Sequence, residues 1–557
     1  MVRFSVLLFA GLLTLTASGG LFAAAATEAG AGSVSVNAPG TFPIVDEKVT
    51  MTAFNIQVSV PDAATNSFIT WYEDLTNVHI EWEHAPGDGG SEKRSLLLAS
   101  GDYPEIFISE VNMRKEEELR YGTQGVIRDI SGLIDEWGFF VKQAFADEPW
   151  LRAALTTPDG AIYSLPGLEL GCFHCEYAQK MWINQVWLDR LGLATPETTD
   201  EFYDVLKAFK TQDPNQNGKA DEIPLMFATS GWHADGIGYL MGSFIYHPGL
   251  SSNVGSQLFY FTVKDGQIEF TANQPAFREG LRYIRKLVTD GLLDPLSFTQ
   301  KGDDMIRVGA NPDAVLIGAA PGGVPFTFLD RPTDRVNMYE GLAPLRGPEG
   351  VRLSARYTDR APSTGMYFIT DKAQHPEVAL RWGDGMLDPE GDIRFRQNGV
   401  EGSEWRTGLP GELDYHGRPA AFVRTLNQEH NAGNKNNAAW YDGPRYIRRD
   451  HFESQVAGTD RNTTGLGYLL FEASVRLMEP YQPELGLRDP YLRAEVVSEA
   501  AQLRTAIHSH VNEATVRFLV GDLDLDADWD DYVSQLDDLG VDRFLEIYAE
   551  AYAPQLR

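Results

Sequence analysis

The feature that most constrains this chain is a regular alternation of strand and helix patterns near its start. Residues 49–60 are rich in β-branched residues and favour a strand, whereas residues 66–77 carry apolar side chains at helical spacing. Residues 78–85 alternate again, residues 92–101 favour a short helix ending in Gly, and residues 104–108 favour a third strand. This β-α-β-α-β order predicts an α/β fold with a mostly parallel sheet and helices on its faces.

The rest of the chain continues this alternation less regularly and becomes richer in helix in its last third. Residues 503–521 and 533–557 both have helical apolar spacing. Thr198 and Glu201 have the spacing of a capping box at the start of another predicted helix. Residues 394–445 stand apart, because they combine many Gly and Asn residues with scattered aromatic residues. Long irregular segments of this kind usually line a site or are mobile.

The N-terminal residues have the layout of an export signal. A positive charge at Arg3 precedes the apolar residues 4–16, and small residues ending in four alanines follow. This order predicts a signal peptide over residues 1–26 with an A-x-A cleavage site. A membrane anchor is the alternative, but an apolar run of about 13 residues is shorter than the roughly 20 that span a bilayer. Residues 27–46 are small and polar, which predicts a flexible lead-in.

The expected location and partners follow from the signal and from the charge. No cysteine follows the apolar run, so a lipoprotein signal is not expected, and the protein should be periplasmic or secreted. The 79 acidic and 47 basic residues give a net charge of −32, which would repel phosphate backbones and anionic lipid surfaces. We therefore expect no nucleic-acid partner.

Residues 213–224 place oxygen-bearing side chains at alternate positions around a glycine. Gly218 occupies position 6 of a twelve-residue loop, where an EF-hand turns sharply. Pro224 replaces the usual Glu at position 12, and Glu222 at position 10 can supply that carboxylate instead. The loop predicts a structural Ca²⁺ site, and a solvated polar turn is the alternative. The predicted ligands are Asp213, Asn215, Asn217, the backbone carbonyl of Lys219, Asp221 and Glu222.

Two other patterns are weaker candidates for a metal site. Cys172 and Cys175 form a C-x-x-C without a second pair, so a zinc site is disfavoured and a local disulfide is expected in an exported chain. A thioredoxin-like redox role is disfavoured because the flanking residues lack the helix start of that fold. Residues 522–530 contain alternating acids, but Ala527 stands where a calcium loop needs glycine. We interpret this run as an acidic lead into a helix near Trp529.

Three stretches of the chain resemble a known family. Residues 181–225 resemble the hallmark stretch of family 1 extracellular solute-binding proteins of ABC transporters, closest to large oligosaccharide-binding members such as alginate-binding proteins. Residues 68–109 and 517–552 resemble the N-terminal region and the C-terminal end of that family. Calcium-bearing relatives carry the same loop, so the resemblance implies the same ligand set.

The resemblance also implies an architecture and a set of partners. The family fold has two α/β lobes joined by a hinge, with the ligand in the cleft and permease subunits as partners. On that basis we expect lobe 1 to comprise residues 45–165 and 310–390, and lobe 2 to comprise residues 166–309 and 391–557. The protein is expected to be a monomer.

The leading hypothesis is a binding protein that captures an oligosaccharide, with a related polar solute as the alternative ligand, and delivers it to a permease. Sugar sites combine aromatic faces with a few polar groups, and aromatic residues in polar loops are therefore the candidates. They are Trp440 with its neighbours Tyr441 and Asp442, followed by Trp232 and Trp405; ordinary packing is the alternative for each.

Two other classes of function are weaker hypotheses. A secreted glycosidase needs two carboxylates facing a sugar, and no motif isolates such a pair, so no catalytic residue is predicted. A structural or adhesive surface protein is disfavoured by the α/β alternation and by the absence of sequence repeats.

Overall fold

The computed structural model describes residues 34–553 except 58–59, 88, 110–112, 171, 178, 248–259, 355–361, 390–392, 425–436 and 484–489. The predicted signal peptide and residues 27–33 of the predicted lead-in lie outside the described residues. Among the helices that are described, none has the length and apolar character needed to cross a membrane.

The strands of the described residues are short apart from the first two. They are β1 (Val49–Gln57), β2 (Val78–Pro86), β3 (Ile106–Ser109), β4 (Gly167–Glu169), β5 (Met181–Asn184), β6 (Ile223–Leu225), β7 (Phe261–Lys264), β8 (Gln267–Phe270), β9 (Ile317–Pro321), β10 (Tyr339–Leu342), β11 (Tyr367–Ile369), β12 (Trp405–Thr407), β13 (Phe422–Arg424) and β14 (Arg445–Ile447).

The helices are α1 (Ser67–Thr76), α2 (Gly90–Ser100), α3 (Lys115–Thr123), α4 (Ser131–Trp137), α5 (Phe140–Asp147), α6 (Trp150–Leu155), α7 (Phe173–Glu176), α8 (Gln185–Leu191), α9 (Thr199–Thr211), α10 (Ile237–Met241), α11 (Pro275–Thr289), α12 (Gly302–Gly309), α13 (Pro376–Gly385), α14 (Ile393–Asn398), α15 (Arg449–Glu453), α16 (Thr464–Phe471), α17 (Ala494–Val520), α18 (Trp529–Asp538) and α19 (Val541–Tyr552). A π-helical turn over Glu472–Met478 continues α16.

The first lobe is built on a sheet with the strand order β11-β3-β1-β2. Strand β1 runs parallel to β2 and β3, whereas β11 runs antiparallel to β3. Buried apolar clusters form on both faces, one containing Tyr72 and Trp382 and the other containing Phe54, Phe107 and Phe368. The β-α-β-α-β order expected for the start of the chain is therefore confirmed, together with the α/β fold class.

The second lobe is built on a sheet with the strand order β10-β5-β9-β6. Helix α9 packs beside β6 and begins at the predicted capping box, where the Thr198 hydroxyl accepts from the Glu201 amide at 3.2 Å. The long helix α17 packs on α11 and α19. The single helix predicted over residues 533–557 is divided into α18 and α19, because Gly540 adopts a φ of 87° that favours glycine and interrupts the helical backbone.

The boundaries between the lobes differ from those expected. Residues 317–342 belong to the second lobe rather than to lobe 1, because β9 pairs with β5 and β6 and β10 pairs with β5. Residues 437–447 return to the first lobe rather than staying in lobe 2, because Trp440 and Tyr446 are part of its core. Helix α14 also lies with the first lobe, because Arg396 is bonded to the backbone of Met386 and Asp442. These assignments depend on long-range pairing, which local sequence patterns do not encode.

Residues 34–46 also differ from the flexible lead-in that the sequence favoured. Ile44 and Val45 are fully buried in the core of the first lobe. Arg381 of α13 donates to the carbonyls of Asn37 and Thr41 at 2.7 and 2.8 Å. The segment is therefore packed against the first lobe through its apolar side chains and is hydrogen-bonded to it through its backbone carbonyls.

The segments that connect the lobes lie side by side. The chain leaves the first lobe through β4 and leaves it a second time through β14. These two strands pair in parallel. Gly167 of β4 also forms a bridge with Ser363, which lies between the second lobe and β11. A separate contact joins the lobes at α3, where the Tyr491 hydroxyl donates to Glu118 at 3.0 Å. Adjacent short strands of this kind can serve as a hinge between two lobes.

Candidate functional site

A cavity of about 340 Å³ lies where the two lobes meet. The first lobe contributes residues from α14 and from the segment that leads into β14, namely Arg396, Gln397, Trp440, Tyr441 and Arg445. The opposite walls include Phe173 and His174 of α7, Tyr415, Phe452 of α15, and the start of α16. Both lobes therefore form the walls, and β4 and β14 border the cavity at the connection between them.

The cavity wall combines aromatic rings with hydrogen-bonding groups. The rings belong to Phe173, Tyr415, Trp440, Tyr441 and Phe452, and the uncharged polar groups belong to Gln397, Gln455, Thr463 and Thr464. Mostly apolar walls with a few polar groups both hold and orient a small molecule. The arrangement suits a ligand that has apolar faces and polar edges.

Trp440 borders this cavity but is fully buried. Its ring lies 5.5 Å from the ring of Trp82 in the core of the first lobe. The polar sequence context that favoured a binding role has another origin: the Asn437 side chain donates to the carbonyl of Asp62 at 2.6 Å. The Asn437 carbonyl in turn accepts from the amide of Ser67 at the start of α1. Trp440 therefore supports the wall from behind.

Tyr441 and Asp442 are neighbours in the chain but have different surroundings. Tyr441 is half-buried, lines the cavity, and donates its hydroxyl to the Gln397 carbonyl at 2.7 Å. Asp442 is fully buried and accepts from the side chain of Asn55 in β1 at 2.5 Å. Tyr441 therefore faces the cavity, whereas its neighbour Asp442 faces the sheet.

The other two tryptophans lie outside the interlobe cavity. Trp232 exposes 37% of its surface and lines an adjacent open depression with Lys301 and Phe326. Its ring is 5.9 Å from the ring of His174, which borders the main cavity. Trp405 in β12 is buried, and its indole nitrogen donates to the Gly399 carbonyl at 2.8 Å. Of the three candidate tryptophans, Trp232 therefore has the accessible ring.

A disulfide forms part of the cavity wall. Cys172 and Cys175 are joined, with their Cα atoms 5.2 Å apart, and enclose the first turn of α7. The Nε2 atom of His174 lies 3.4 Å from the Cys172 sulfur. Since both sulfurs are bonded to each other, neither is available as a thiolate ligand in this state. The bridge instead holds Phe173 and His174 against the cavity.

One carboxylate lies among the described residues that line the cavity, and it is paired. Glu169 of β4 contacts the guanidinium of Arg445 in β14 at 2.5 Å. The ion pair therefore joins the two parallel strands that connect the lobes. Glycoside hydrolysis by the usual route uses two carboxylates that flank the scissile bond.

The predicted calcium loop folds around its own carboxylates. The Asp213 carboxylate accepts from the amides of Asn217 and Gly218 at 3.1 and 3.0 Å. The Asp221 carboxylate accepts from the side chains of Asn215 and Asn217, and these hydrogen bonds lower its pKa. Gly218 has a φ of 73°, so the turn requires the left-handed backbone that glycine adopts without strain.

Glu222 indicates that this loop fits a cation. Its Oε1 atom is buried without a hydrogen-bond partner in the described structure. Burial raises the pKa of its carboxyl, and the negative charges of Asp213 and Asp221 raise it further. Three carboxylates and the loop carbonyls are the hard oxygen donors that Ca²⁺ prefers. The amide of Lys219 donates to Asn217 at 2.8 Å, and its carbonyl remains a predicted ligand.

Some of the cavity residues that sequence reasoning missed come from the irregular region. Arg396, Gln397, Tyr415 and Arg424 all lie within residues 394–445, which the sequence marked as a segment that lines a site or is mobile. Its composition therefore indicated the right region. It gave no basis for selecting individual side chains, since each one reaches the cavity through contacts distant in sequence.

Comparisons with known proteins agree with the two-lobed α/β fold. Residues 57–393 match the bacterial extracellular solute-binding protein family. The fructooligosaccharide ABC transporter substrate-binding protein FusA of Streptococcus pneumoniae serotype 4 is 28% identical over 561 residues, covering 97% of this chain and 96% of FusA. A structure of an S. pneumoniae FusA EF-hand mutant in complex with fructo-nystose matches with a TM-score of 0.70 and 24% identity, covering 91% of this chain and 99% of that chain. A structure of the alginate-binding protein AlgQ2 without calcium ion matches with a TM-score of 0.62 and 20% identity, covering 92% and 99%.

The fold and the cavity thus define a two-lobed α/β protein with a cavity that both lobes line. The chain belongs to the bacterial extracellular solute-binding protein family. Membership confirms the family that the sequence resembled and the two-lobed α/β architecture. It also implies that the protein is exported, since members of this family act outside the cytoplasm.

Proposed function

We propose that this protein is the substrate-binding component of an ABC importer and that it holds an oligosaccharide in the cavity between its lobes. The observation that carries the proposal is the cavity itself, which is walled by both lobes and combines aromatic rings with polar groups. The likeness to FusA over nearly the whole chain supports the same class of ligand.

Closure of the lobes around the sugar would make the complex recognisable to a permease. A ligand that contacts both walls favours the closed state by its differential affinity for that state. The paired strands β4 and β14 would absorb the movement, and the ion pair between Glu169 and Arg445 would keep them in register. Delivery then requires the permease subunits to reopen the lobes.

The sugar contacts that we propose differ from those the sequence first suggested. Tyr441 offers a half-buried ring at the first lobe, and Trp232 offers an accessible ring beside His174 at the second. Trp440 acts as a rigid support, and Asp442 and Trp405 act within the fold. Aromatic rings present broad apolar faces to the C–H surfaces of a sugar, and polar edges fix its orientation.

Binding without cleavage is the activity that the lining residues support. Glu169 is held in an ion pair with Arg445 and is the one carboxylate among the described lining residues. An acid and base pair positioned for glycoside hydrolysis would need a second carboxylate across the ligand. We therefore propose that the protein releases its sugar intact.

A structural Ca²⁺ ion in the loop over residues 213–224 is part of the proposal. The unpartnered Oε1 of Glu222 and the clustered carboxylates support it, and a FusA EF-hand mutant indicates that an EF-hand occurs in a related protein. The ion would be held by Asp213, Asn215, Asn217, Lys219, Asp221 and Glu222 and would fix the connection between α9 and β6. We further propose a monomeric protein in the periplasm or the medium.

A ligand screen with product analysis tests this function. Purified mature protein should show a raised melting temperature with a subset of oligosaccharides and reversible binding in calorimetry. Chromatography of the recovered ligand should show its original length. Fresh reducing ends would contradict a binding role and favour a glycosidase, and a complete lack of stabilisation by neutral and acidic saccharides would contradict oligosaccharide binding.

A further inference from the structure

The charge of the interlobe cavity is opposite to the charge of the whole chain. The protein has a net charge of −32. The described residues that line the cavity nevertheless carry four guanidinium groups and a single carboxylate, that of Glu169. The guanidinium groups belong to Arg331, Arg396, Arg424 and Arg445. Because most charged side chains of this protein are acidic, the excess of guanidinium groups at the cavity does not follow from the overall composition and requires its own explanation.

Three of these arginines are held by the protein itself, and Arg331 is one of them because it donates to the Asn462 carbonyl at 2.7 Å. Arg445 contacts Glu169 at 2.5 Å, so their charges largely cancel. Arg396 is buried and donates to the carbonyls of Met386 and Asp442 at 3.1 and 3.0 Å. Burial, together with the nearby charge of Arg445, lowers the pKa of Arg396 to about 9. The cavity therefore contains a cation whose desolvation is incompletely compensated.

Arg424 is the arginine best placed to contact a ligand. Its Nε atom donates to Oδ1 of Asn398 at 2.6 Å, and Asn398 is itself almost completely buried. Within the described parts of the chain, no carboxylate forms an ion pair with Arg424. One edge of the guanidinium is thus fixed by the protein, and the contacts among the described residues leave its terminal nitrogens for a second partner. This geometry suits a carboxylate or sulfate group, which a guanidinium can bind through two parallel hydrogen bonds.

We propose that the ligand is an anionic oligosaccharide whose carboxylate or sulfate group is bound by Arg424, with Arg331 and Arg396 adding to the favourable field. This inference rests on the proposed function and specifies its substrate class. Closure over a neutral sugar would leave the Arg424 guanidinium without a counter-charge among the described residues in a cavity that excludes water. An anionic sugar supplies that charge, and its apolar faces can still contact the aromatic rings.

Calorimetry with matched saccharides tests the substrate class. The wild-type protein is titrated with an oligogalacturonate, with its fully methyl-esterified neutral form of equal length, and with a sulfated oligosaccharide. We expect at least one acidic ligand to bind about 10- to 100-fold more tightly than its neutral counterpart, the range of a charge-assisted hydrogen bond. The two acidic ligands distinguish a carboxylate from a sulfate ester. Raising the salt concentration should weaken acidic binding and leave neutral binding nearly unchanged.

Two neighbouring arginines provide a variant and its matched control. Arg424→Gln should reduce affinity for the acidic ligand by about 10- to 100-fold and leave the melting temperature nearly unchanged, whereas Arg424→Lys should retain part of the affinity. Arg406→Gln alters the paired strand β12 outside the cavity, where Arg406 binds Glu412 at 2.7 Å, and should leave affinity unchanged. If Arg424→Gln fails to fold, the salt dependence of wild-type binding still decides the question.

The outcomes separate this inference from the proposed function. Tight binding of an acidic saccharide that is lost with Arg424 or with salt supports both. A neutral oligosaccharide that binds as tightly as every acidic one overturns the anionic substrate and leaves oligosaccharide binding intact. Absence of binding to acidic and neutral saccharides alike overturns the proposed function and this inference with it.

Discussion

Replacing Glu222 by glutamine should abolish the response to calcium without destabilising the metal-free protein. The buried Oε1 of Glu222 has no hydrogen-bond partner among the described residues, and burial raises the pKa of its carboxyl. The charge is therefore unfavourable when the loop holds no cation, and a neutral isostere should be tolerated or slightly stabilising. An ion present at a thousand times its dissociation constant stabilises the folded state by about 4 kcal/mol. For a cooperative unit of about 150–250 residues this corresponds to roughly 8–16 °C in melting temperature.

Differential scanning calorimetry in calcium and in chelator measures this effect. The wild-type protein should melt several degrees lower in chelator and recover when calcium is restored, whereas Glu222→Gln should melt at one temperature in both. Asp522→Asn is the matched control, because Asp522 is exposed in the other alternating acidic run and should leave the calcium response unchanged. A wild-type protein that ignores chelator and carries no metal would refute the reasoning, as would a Glu222→Gln variant that responds like the wild type.

Three further predictions follow from the cavity and from the contact between the lobes. Trp232→Ala should weaken sugar binding by about 2 kcal/mol at unchanged melting temperature, whereas Trp440→Ala should lower folding stability by about 3–5 kcal/mol. Calorimetry measures the first effect and urea unfolding measures the second. The reverse result would exchange the roles of the two tryptophans. Reduction of Cys172–Cys175 should weaken sugar binding, because the bridge holds α7 at the cavity. It should lower the melting temperature only slightly, because the bridge closes a short loop. Equal affinities for the sugar before and after reduction would contradict this prediction. Burial raises the pKa of Glu118, so the protonated carboxyl of Glu118 stabilises the folded state. This contribution to folding stability is fully present below the usual pKa of glutamate and is lost as pH rises through the raised value. Urea unfolding at pH 5 and pH 8 should therefore show a smaller loss with rising pH in Glu118→Gln than in the wild type, and parallel pH profiles would disprove it.

The parts of the fold that the sequence predicted are those with local causes. The start of the chain alternates long strands with helices over short connections, so its periodicity was sufficient to predict β1 to β3. The capping box at Thr198 likewise depends on residues three positions apart. Family resemblance supplied the two-lobed architecture, which local patterns do not contain.

The parts that were missed depend on distant partners. Strand β9 has five buried residues and no alternation, so nothing in its sequence indicates that it pairs with β5 and β6 rather than with the first lobe. The polar residues near Trp440 suggested a binding loop, but Asn437 bonds to Asp62 far away in sequence. Arg424 carries no local signal at all, because its importance arises from Asn398 and from the charges across the cavity.

A crystal structure of the protein with a tightly binding saccharide tests the central claim most directly. The account predicts one intact saccharide between the lobes, with Tyr441 on one side, Phe173 or Tyr415 on the other, and Arg424 in contact with its acidic group. A saccharide bound to a single lobe, for example only in the open depression at Trp232, would contradict a shared interlobe site.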